Sequence, residues 1–231
     1  PAGRGHGPAD AHANGRAYEA EVLPGLASFA WQELNDLPGA RPGPLPRDPD
    51  VQARLDWLPF AWSGSGDPPT ANLRTVTSLQ RVLSFDVPRP KGLLGDEALR
   101  RIVREAGEVA AAHGPFEGLR LDAAGRDSTV LQRLRAELAT ALGLADAPET
   151  GELRLRVRPR PEPDEAGWQV LIRTTPRPLS ARAWRVANLP GGLNACVAAA
   201  VWRWVGTSSD QRVVNLMCGS GTLAIERGLA G

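Results

Sequence analysis

Residues 213 to 221 read VVNLMCGSG, and the residue types and spacing of this short run suit the binding of a ligand by backbone. Val213, Val214 and Leu216 have the apolar, β-branched or aliphatic character of a buried strand. Gly219-Ser220-Gly221 reads as a tight turn, because glycine takes left-handed backbone at little cost and lets a ligand come close to the chain. Thr222 to Leu229 reads as the first turns of a helix, whose leading N–H groups face whatever the turn holds. Strand, glycine turn and helix are the parts of a cofactor cradle. Other chemistries fail on the neighbouring residues. No Lys-Ser or Lys-Thr follows the turn, as a nucleoside-triphosphate loop requires, and the third glycine of the dinucleotide fingerprint is missing. A hydrolase elbow, Gly-x-Ser-x-Gly, needs glycine where Cys218 and Thr222 stand.

A second run with chemical content is ELRLRVR, residues 152 to 158. Leu153, Leu155 and Val157 alternate with Arg154, Arg156 and Arg158, so a strand here has one apolar face and one row of guanidinium groups. Arg160, Arg173, Arg177, Arg182 and Arg185 extend the basic region. The row reads either as a solvated outer strand face or as a surface for a polyanion. Charge is distributed unevenly: residues 1 to 150 hold 16 Lys and Arg against 20 Asp and Glu, a balance of −4, and residues 151 to 231 hold 11 against 6, a balance of +5. Any attraction to a polyanion must come from local clusters, since the net charge is only +1. His6, His12 and His113 have no partner at metal-ligand spacing, and Cys196 and Cys218 lie far apart in unlike contexts. Neither a metal centre nor a disulfide framework is expected.

The elements that must position these residues read as an α+β unit over residues 17 to 175. YEAEVL alternates like a strand, Pro24-Gly25 breaks it, and Leu26, Phe29, Ala30 and Leu34 share a helical face. Pro38 to Pro49 reads as loop, and Trp57 to Trp62 as a short aromatic patch before a second loop, SGSGDPPT. RVLSFDV reads as a strand ending at Pro88, entered through a helical or extended stretch from Leu73. Leu99, Ile102, Val103, Ala106, Val109 and Ala110 mark an amphipathic helix stopped by Gly114-Pro115. GLRLDA reads as a strand. A second helix follows, capped by Asp127 or Ser128, with Leu131, Leu134, Leu138 and Leu142 on one face and Gly143 as its stop. ELRLRVR and WQVLIRTT pair as a hairpin with Trp168, Val170 and Ile172 inward. A linker, PRPLSARAWRVANLPGG, leads to an alanine-rich helix, LNACVAAAVWRWVG, and then to the glycine turn.

With 42% hydrophobic and 23% charged residues the chain is composed like an ordinary globular protein, although residues 1 to 16 lack periodicity and read as disordered. The chain has no run of eighteen apolar residues and no secretory signal core, so a cytoplasmic protein without membrane contact is expected. It starts with Pro, and a processed, tagged or fragmentary sequence is expected at either end.

In the order in which they occur, four segments resemble the THUMP-domain RNA methyltransferases of the class I, S-adenosylmethionine-dependent type. NLMCGSGTLAIE resembles their first cofactor motif, typically Asp-Pro-x-Cys-Gly-Ser-Gly-Thr. YEAEVLPGLASFAWQEL resembles their ferredoxin-like start, PLSARAWR their linker, roughly Pro-Leu-x-x-Arg-Gly-Tyr-Arg, and LPGGLNACVAAAVWRW the helix before the methyltransferase sheet. The resemblance implies a ferredoxin-like region at 17–73, a THUMP domain at 74–177, and at 178–231 a linker helix with the first strand and helix of a Rossmann-like domain. It implies S-adenosylmethionine against Asn215, Cys218, Gly219, Ser220, Gly221 and Thr222, with Cys218 there for packing or close approach. Asn215 stands in place of the usual Asp and supplies no negative charge for the cofactor's ammonium group. The resemblance also implies structured RNA, tRNA or ribosomal RNA, at Arg154, Arg156, Arg158, Arg182 and Arg185, and a guanine N2 amine as target. The Asn/Asp-Pro-Pro-Tyr/Phe motif that grips the amine in this family is missing: Asp67-Pro68-Pro69-Thr70 has the wrong fourth residue and precedes the turn. No catalytic residue is therefore assigned, and no turnover is expected of these 231 residues alone. Two other readings stay open: a THUMP module that binds RNA without catalysis or beside a partner subunit, and a small-molecule nucleotide-binding protein.

Overall fold

The computed structural model describes residues 15–161, 167–186, 190–206 and 212–229. Its frame is one mixed sheet of eight strands: β1 (Arg16–Val22), β2 (Ala40–Pro42), β3 (Trp57–Trp62), β4 (Val76–Phe85), β5 (Gly118–Ala123), β6 (Ala145–Asp146), β7 (Leu153–Pro159) and β8 (Trp168–Arg173). Their order across the sheet is β2-β3-β1-β4-β8-β7-β5-β6, with β5 parallel to β6 and β7 and all other pairs antiparallel. Among the described residues six α-helices accompany it: α1 (Ala27–Asn35), α2 (Pro49–Gln52), α3 (Asp96–His113), α4 (Thr129–Leu142), α5 (Ala195–Val205) and α6 (Thr222–Gly228).

Alternation decides which face is core. Registered partners lie on the same side of a sheet, and Phe60, Tyr18, Arg81, Ile172 and Leu155 form one such row across β3, β1, β4, β8 and β7. The rows around it are apolar. Under α1 they carry Leu58, Phe60, Ala20, Val22 and Leu79, joined by Ala30 and Leu34 of the helix. Under α3 and α4 they carry Leu83, Val170, Leu155 and Leu121, joined by Ile102, Val109, Leu134 and Leu138. The two apolar clusters sit on either side of β4, which bonds to β1 on one edge and β8 on the other, so the regions assigned to 17–73 and 74–177 share one continuous sheet.

Much of the predicted organisation is present, with three differences. Trp57–Trp62 is a strand with every second residue buried, and Ala40–Pro42 adds a short edge strand inside the expected loop. Tryptophan, Leu, Pro and Phe in a row hide the period of two that a six-residue strand carries. The stretch from Val76 forms one ten-residue strand rather than a separate entry and strand. The third difference concerns Val213, Val214 and Leu216: they form no strand, and their exposures are 43%, 78% and 91%. A buried strand of a Rossmann-type sheet is stable only between neighbours that satisfy its backbone, and among the described residues no strand stands beside 213–217. The disorder expected for 1–16 lies outside the described residues except at Gly15 and Arg16, and Arg16 already pairs with Trp62.

Candidate functional site

The glycine turn forms as the sequence requires. Gly219 and Gly221 have φ of +52° and +74°, left-handed values that a side chain at either position would strain. Gly221 N donates to Cys218 O at 2.8 Å and closes the turn into α6. A Cβ on Gly219 would meet nothing within 4 Å, so the backbone there is open to a ligand. Cys218 is exposed. Asn215 turns its Oδ1 back to Met217 N at 3.3 Å.

Polar contacts hold α6 to the rest of the protein. Thr222 and Glu226, one turn apart, point inward and are 2% and 0% exposed, while Ile225 and Leu229 on other sides are 38% and 50% exposed. The Glu226 carboxylate accepts from Arg74, through both Nε and Nη2, and from Arg182 Nε at 3.0 Å. Arg182 donates its remaining hydrogen bonds to Leu179 O at 2.6 Å and Arg74 O at 2.5 Å. Arg185 Nη2 donates to Thr222 Oγ1 and to Leu193 O, each at 2.8 Å, and Ser220 Oγ lies 3.0 Å from the same Thr222 oxygen. Trp202 of α5 donates from Nε1 to Leu223 O at 2.7 Å. Helix α5 is itself anchored: Asn194 caps it through Cys196 N, and Cys196 and Ala200 pack with Leu26. Trp204, on the same helix, is 79% exposed. The structure therefore brings Arg182 and Arg185 to the glycine turn and its helix and keeps Arg154, Arg156 and Arg158 apart from them.

Those three arginines lie on the opposite face of the sheet from α1, α3 and α4, as alternation predicts, and each has an acidic partner. Arg154 Nε is 2.5 Å from Asp122, Arg158 Nη2 is 2.5 Å from Glu19, and Arg156 Nη2 is 3.4 Å from Glu21. Glu19 and Glu21 belong to β1, separated from β7 by β4 and β8, so the long side chains of Arg156 and Arg158 lie flat over the sheet. Leu171, registered with Arg156 on one side and Val82 on the other, is fully buried on this polar face. Arg158 also stacks over Trp57, 5.5 Å from the ring centroid. The guanidinium groups keep about a quarter of their surface open, with side-chain exposures of 23 to 30%. Burial pushes the Glu19 carboxyl above its ordinary range against the pull of Arg158 and Arg156.

One polar centre escaped sequence reasoning. Arg81 stands on the apolar face of β4 between Leu79 and Leu83, where the two core clusters meet, and is 2% exposed. It donates to Asp67 at 3.2 Å from Nε and 2.8 Å from Nη2, and from Nη1 to Glu105 at 2.7 Å and Glu108 at 2.9 Å. Tyr18 donates its hydroxyl to Asp67 at 2.5 Å, and His113 Nε2 lies 3.0 Å from the other Asp67 oxygen. Burial alone would raise the Asp67 carboxyl, but these hydrogen bonds outweigh it and hold it below the ordinary range. Asp67, the first residue of Asp67-Pro68-Pro69, thus works as a buried anchor. The signal for it was the charged residue in the alternation Leu79, Arg81, Leu83, Phe85, which requires a buried counter-charge from somewhere in the chain.

Beside the α6 anchor opens a cleft of about 540 Å³ lined by Thr70, Arg74, Pro176, Arg177, Leu179, Arg182, Trp184 and Leu229. Trp184 Nε1 is buried there without a hydrogen-bond partner, and Arg185 lies 5.3 Å from its ring centroid. Among the described residues no group of three or more His, Cys, Asp or Glu is placed to hold a metal ion, and no helix is long and apolar enough to cross a membrane.

Comparison with known proteins bears on this same end of the chain. Residues 182–231 match the family described as UPF0020, RMKL-like, methyltransferase domain. A 48-residue segment is 44% identical to the tRNA (guanine(6)-N2)-methyltransferase of Archaeoglobus fulgidus, covering 21% of this chain and 12% of that protein. Two solved structures share the fold over nearly the whole chain. TrmN from Thermus thermophilus matches with a TM-score of 0.60 at 22% identity, over 93% of this chain and 61% of that one. A predicted N6-adenine-specific DNA methylase from Listeria monocytogenes str. 4b F2365 matches with a TM-score of 0.56 at 14% identity, over 98% and 58%. The chain therefore spans about three fifths of the solved chains and a small part of the curated relative, and the methyltransferase-domain match is confined to residues 182–231.

Proposed function

We propose that this chain is the RNA-capturing part, with the beginning of the catalytic domain, of an S-adenosylmethionine-dependent RNA methyltransferase acting on tRNA or ribosomal RNA at a guanine N2 amine. The observation that carries the reading is the methyltransferase-domain match over residues 182–231, which includes the glycine turn that the sequence singles out. The name of the Archaeoglobus relative, a tRNA guanine-N2 methyltransferase, supports the RNA and the amine. In this reading residues 17–73 are the ferredoxin-like region, 74–177 the THUMP domain, and 178–231 the linker helix and first elements of the Rossmann-like domain, in a cytoplasmic protein.

The residues of the turn fit the cofactor. Two left-handed glycines and an open backbone at Gly219 admit the methionine end of S-adenosylmethionine against Cys218, Gly219, Ser220, Gly221 and Thr222, with Asn215 beside them. The bound group supplies a sulfonium methyl; the protein's part is to hold it close to an amine nitrogen that has been taken out of its base stack. Asn215 contributes an amide dipole and no charge, so the cofactor's ammonium group is held less tightly than by a carboxylate. Arg154, Arg156 and Arg158 offer RNA phosphates donors that Glu19, Glu21 and Asp122 now occupy, and binding exchanges one anion for another.

The test uses the protein that carries this chain, incubated with methyl-labelled S-adenosylmethionine and either total tRNA, ribosomal RNA or DNA. Label recovered as N2-methylguanosine supports the proposal. Label recovered as N6-methyladenine in DNA, or no transfer by a protein that binds the cofactor, overturns it.

A further inference from the structure

We infer that Arg185 and Arg182 are positioning residues of the cofactor turn, through which the linker couples the eight-stranded unit to the methyltransferase site. This rests on the reading of Gly219–Thr222 as the place of S-adenosylmethionine.

The turn has no strand of the described residues beside it to set its position. Besides the bonds from Trp202 to Leu223 O and from Arg74 to Glu226, a chain of hydrogen bonds from the linker sets it. Arg185 spans two acceptors with one nitrogen, fixing Leu193 O, just before α5, to Thr222 Oγ1, the first residue of α6. Thr222 Oγ1 in turn lies within hydrogen-bond distance of Ser220 Oγ, inside the turn. One turn further along α6, Arg182 grips Glu226 and also bonds the backbone of Arg74, two residues before β4. Each arginine therefore holds a buried side chain of α6 and a backbone carbonyl elsewhere: Arg185 one in the approach to α5, Arg182 those of Leu179 in the linker and Arg74 at the sheet.

The geometry argues against a direct RNA role for Arg182, and the experiment decides it for Arg185. Arg182 has three of its nitrogens bonded within the protein and a side-chain exposure of 12%. A phosphate would have to displace Glu226, which is fully buried and would be left facing Arg74 alone. Arg154 and Arg156 bond to Asp122 and Glu21, which are themselves 17% and 30% exposed, and all three arginines of the row are about twice as exposed as Arg182. A guanidinium that spans two acceptors fixes direction as well as charge, and lysine, a point charge on a flexible stem, does not reproduce this.

The experiment measures S-adenosylmethionine affinity by equilibrium dialysis and tRNA affinity by filter binding at two salt concentrations, in the protein that carries this chain. Arg185→Ala is expected to weaken cofactor binding about tenfold or more, with RNA affinity and its salt slope unchanged. Arg185→Lys should recover only part of the loss. Thr222→Val should match Arg185→Ala, and the double variant should be no worse than either, because both break one path. Amide hydrogen exchange over residues 222–229 shows whether the variants stay folded and reads the loosened α6 directly. A fall in RNA affinity with a flatter salt slope and unchanged cofactor affinity assigns Arg185 to RNA and overturns the positioning role. If the unaltered protein binds no S-adenosylmethionine, the reading of the turn fails and the positioning role fails with it. If the unaltered protein binds and Arg185→Ala binds equally well, the positioning role alone fails.

Discussion

Among the almost fully buried carboxylates that arginine holds, Asp67 under the sheet and Glu226 beside the glycine turn do opposite work. Asp67 and Arg81 lie inside a finished core, between two apolar clusters, and the network joins β1, β4, α3 and the loop before Leu73. Glu226 lies at a seam, and the apolar side chains of its region, Leu216 and Met217 above all, face outward at 91% and 93% exposure. The eight-stranded unit is held by burial of apolar surface, and the polar network within it aligns the pieces. The turn and α6 are held chiefly by the polar network. Removing the network should therefore unfold the first region and only release the second.

The largest expected effect is at Arg81. Arg81→Ala leaves Asp67 buried and short of its cation, a loss of about 3–5 kcal/mol in global stability by urea unfolding. Glu226→Ala strands Arg74 and Arg182 in the same way, but the cost is expected locally: exchange of α6 amides rises steeply while the global transition moves by less than about 1 kcal/mol. Equal global losses for the two variants would break the distinction and make α6 part of the core. Leu134→Ala, at a fully buried position of the cluster under α3 and α4, sets the scale, with an expected loss of about 2–5 kcal/mol.

The sequence makes these regions legible to different degrees. Elements whose burial alternates cleanly are readable: GLRLDA, ELRLRVR and the helix from Asp96 follow from period alone, because a half-buried element writes its period into the chain. Trp57–Trp62 is missed because its outward residues, Trp57, Pro59 and Ala61, are as apolar as its inward ones. The glycine turn is readable from Gly219 and Gly221, since left-handed backbone demands glycine. Its neighbourhood is not readable, because the partners of Thr222 and Glu226 lie 37 to 152 residues away and long-range pairing leaves no local pattern. The partner of Arg81 is hidden for the same reason, although the need for one is visible in the strand.

The arginine row sharpens the contrast between held and lent charges. Changing Arg154, Arg156 and Arg158 together to Ala should weaken RNA binding by about ten- to a hundredfold and flatten the salt slope by up to about 2.7, the release of three counterions at 0.9 each. Stability should change little through Arg154 and Arg156, whose pairs are partly solvated, and more through Arg158, whose partner Glu19 is buried. A variant that lost stability but kept its RNA affinity and salt slope would turn the row into a structural brace of β1 and β7.

The smallest effect separates the two faces of β1 by pH. Asp67 is held below the ordinary carboxylate range: burial raises it, but the hydrogen bonds from Tyr18 and Arg81 and the contact with His113 outweigh this. Its contribution is present above the unfolded value of about 3.9 and is lost as pH falls through the lower folded value. Glu19, the next residue after Tyr18 and on the other face, is shifted the other way, because burial outweighs Arg158 and Arg156. Its contribution is present below the unfolded value of about 4.3 and is lost as pH rises through the higher folded value. Urea midpoints measured from pH 3 to pH 7 should therefore show a smaller acid-side drop in Asp67→Asn, the rest coming from Glu105, Asp122 and Glu152, which are also held low. In Glu19→Gln the decline on the neutral side should shrink to the part that Glu33, also pushed up by burial, contributes, and at pH 7 the variant should be no less stable than the unaltered protein. If Glu19→Gln is instead clearly less stable at neutral pH, the ion pair with Arg158 outweighs the desolvation of Glu19, and that face is held by its charges as firmly as the α6 seam.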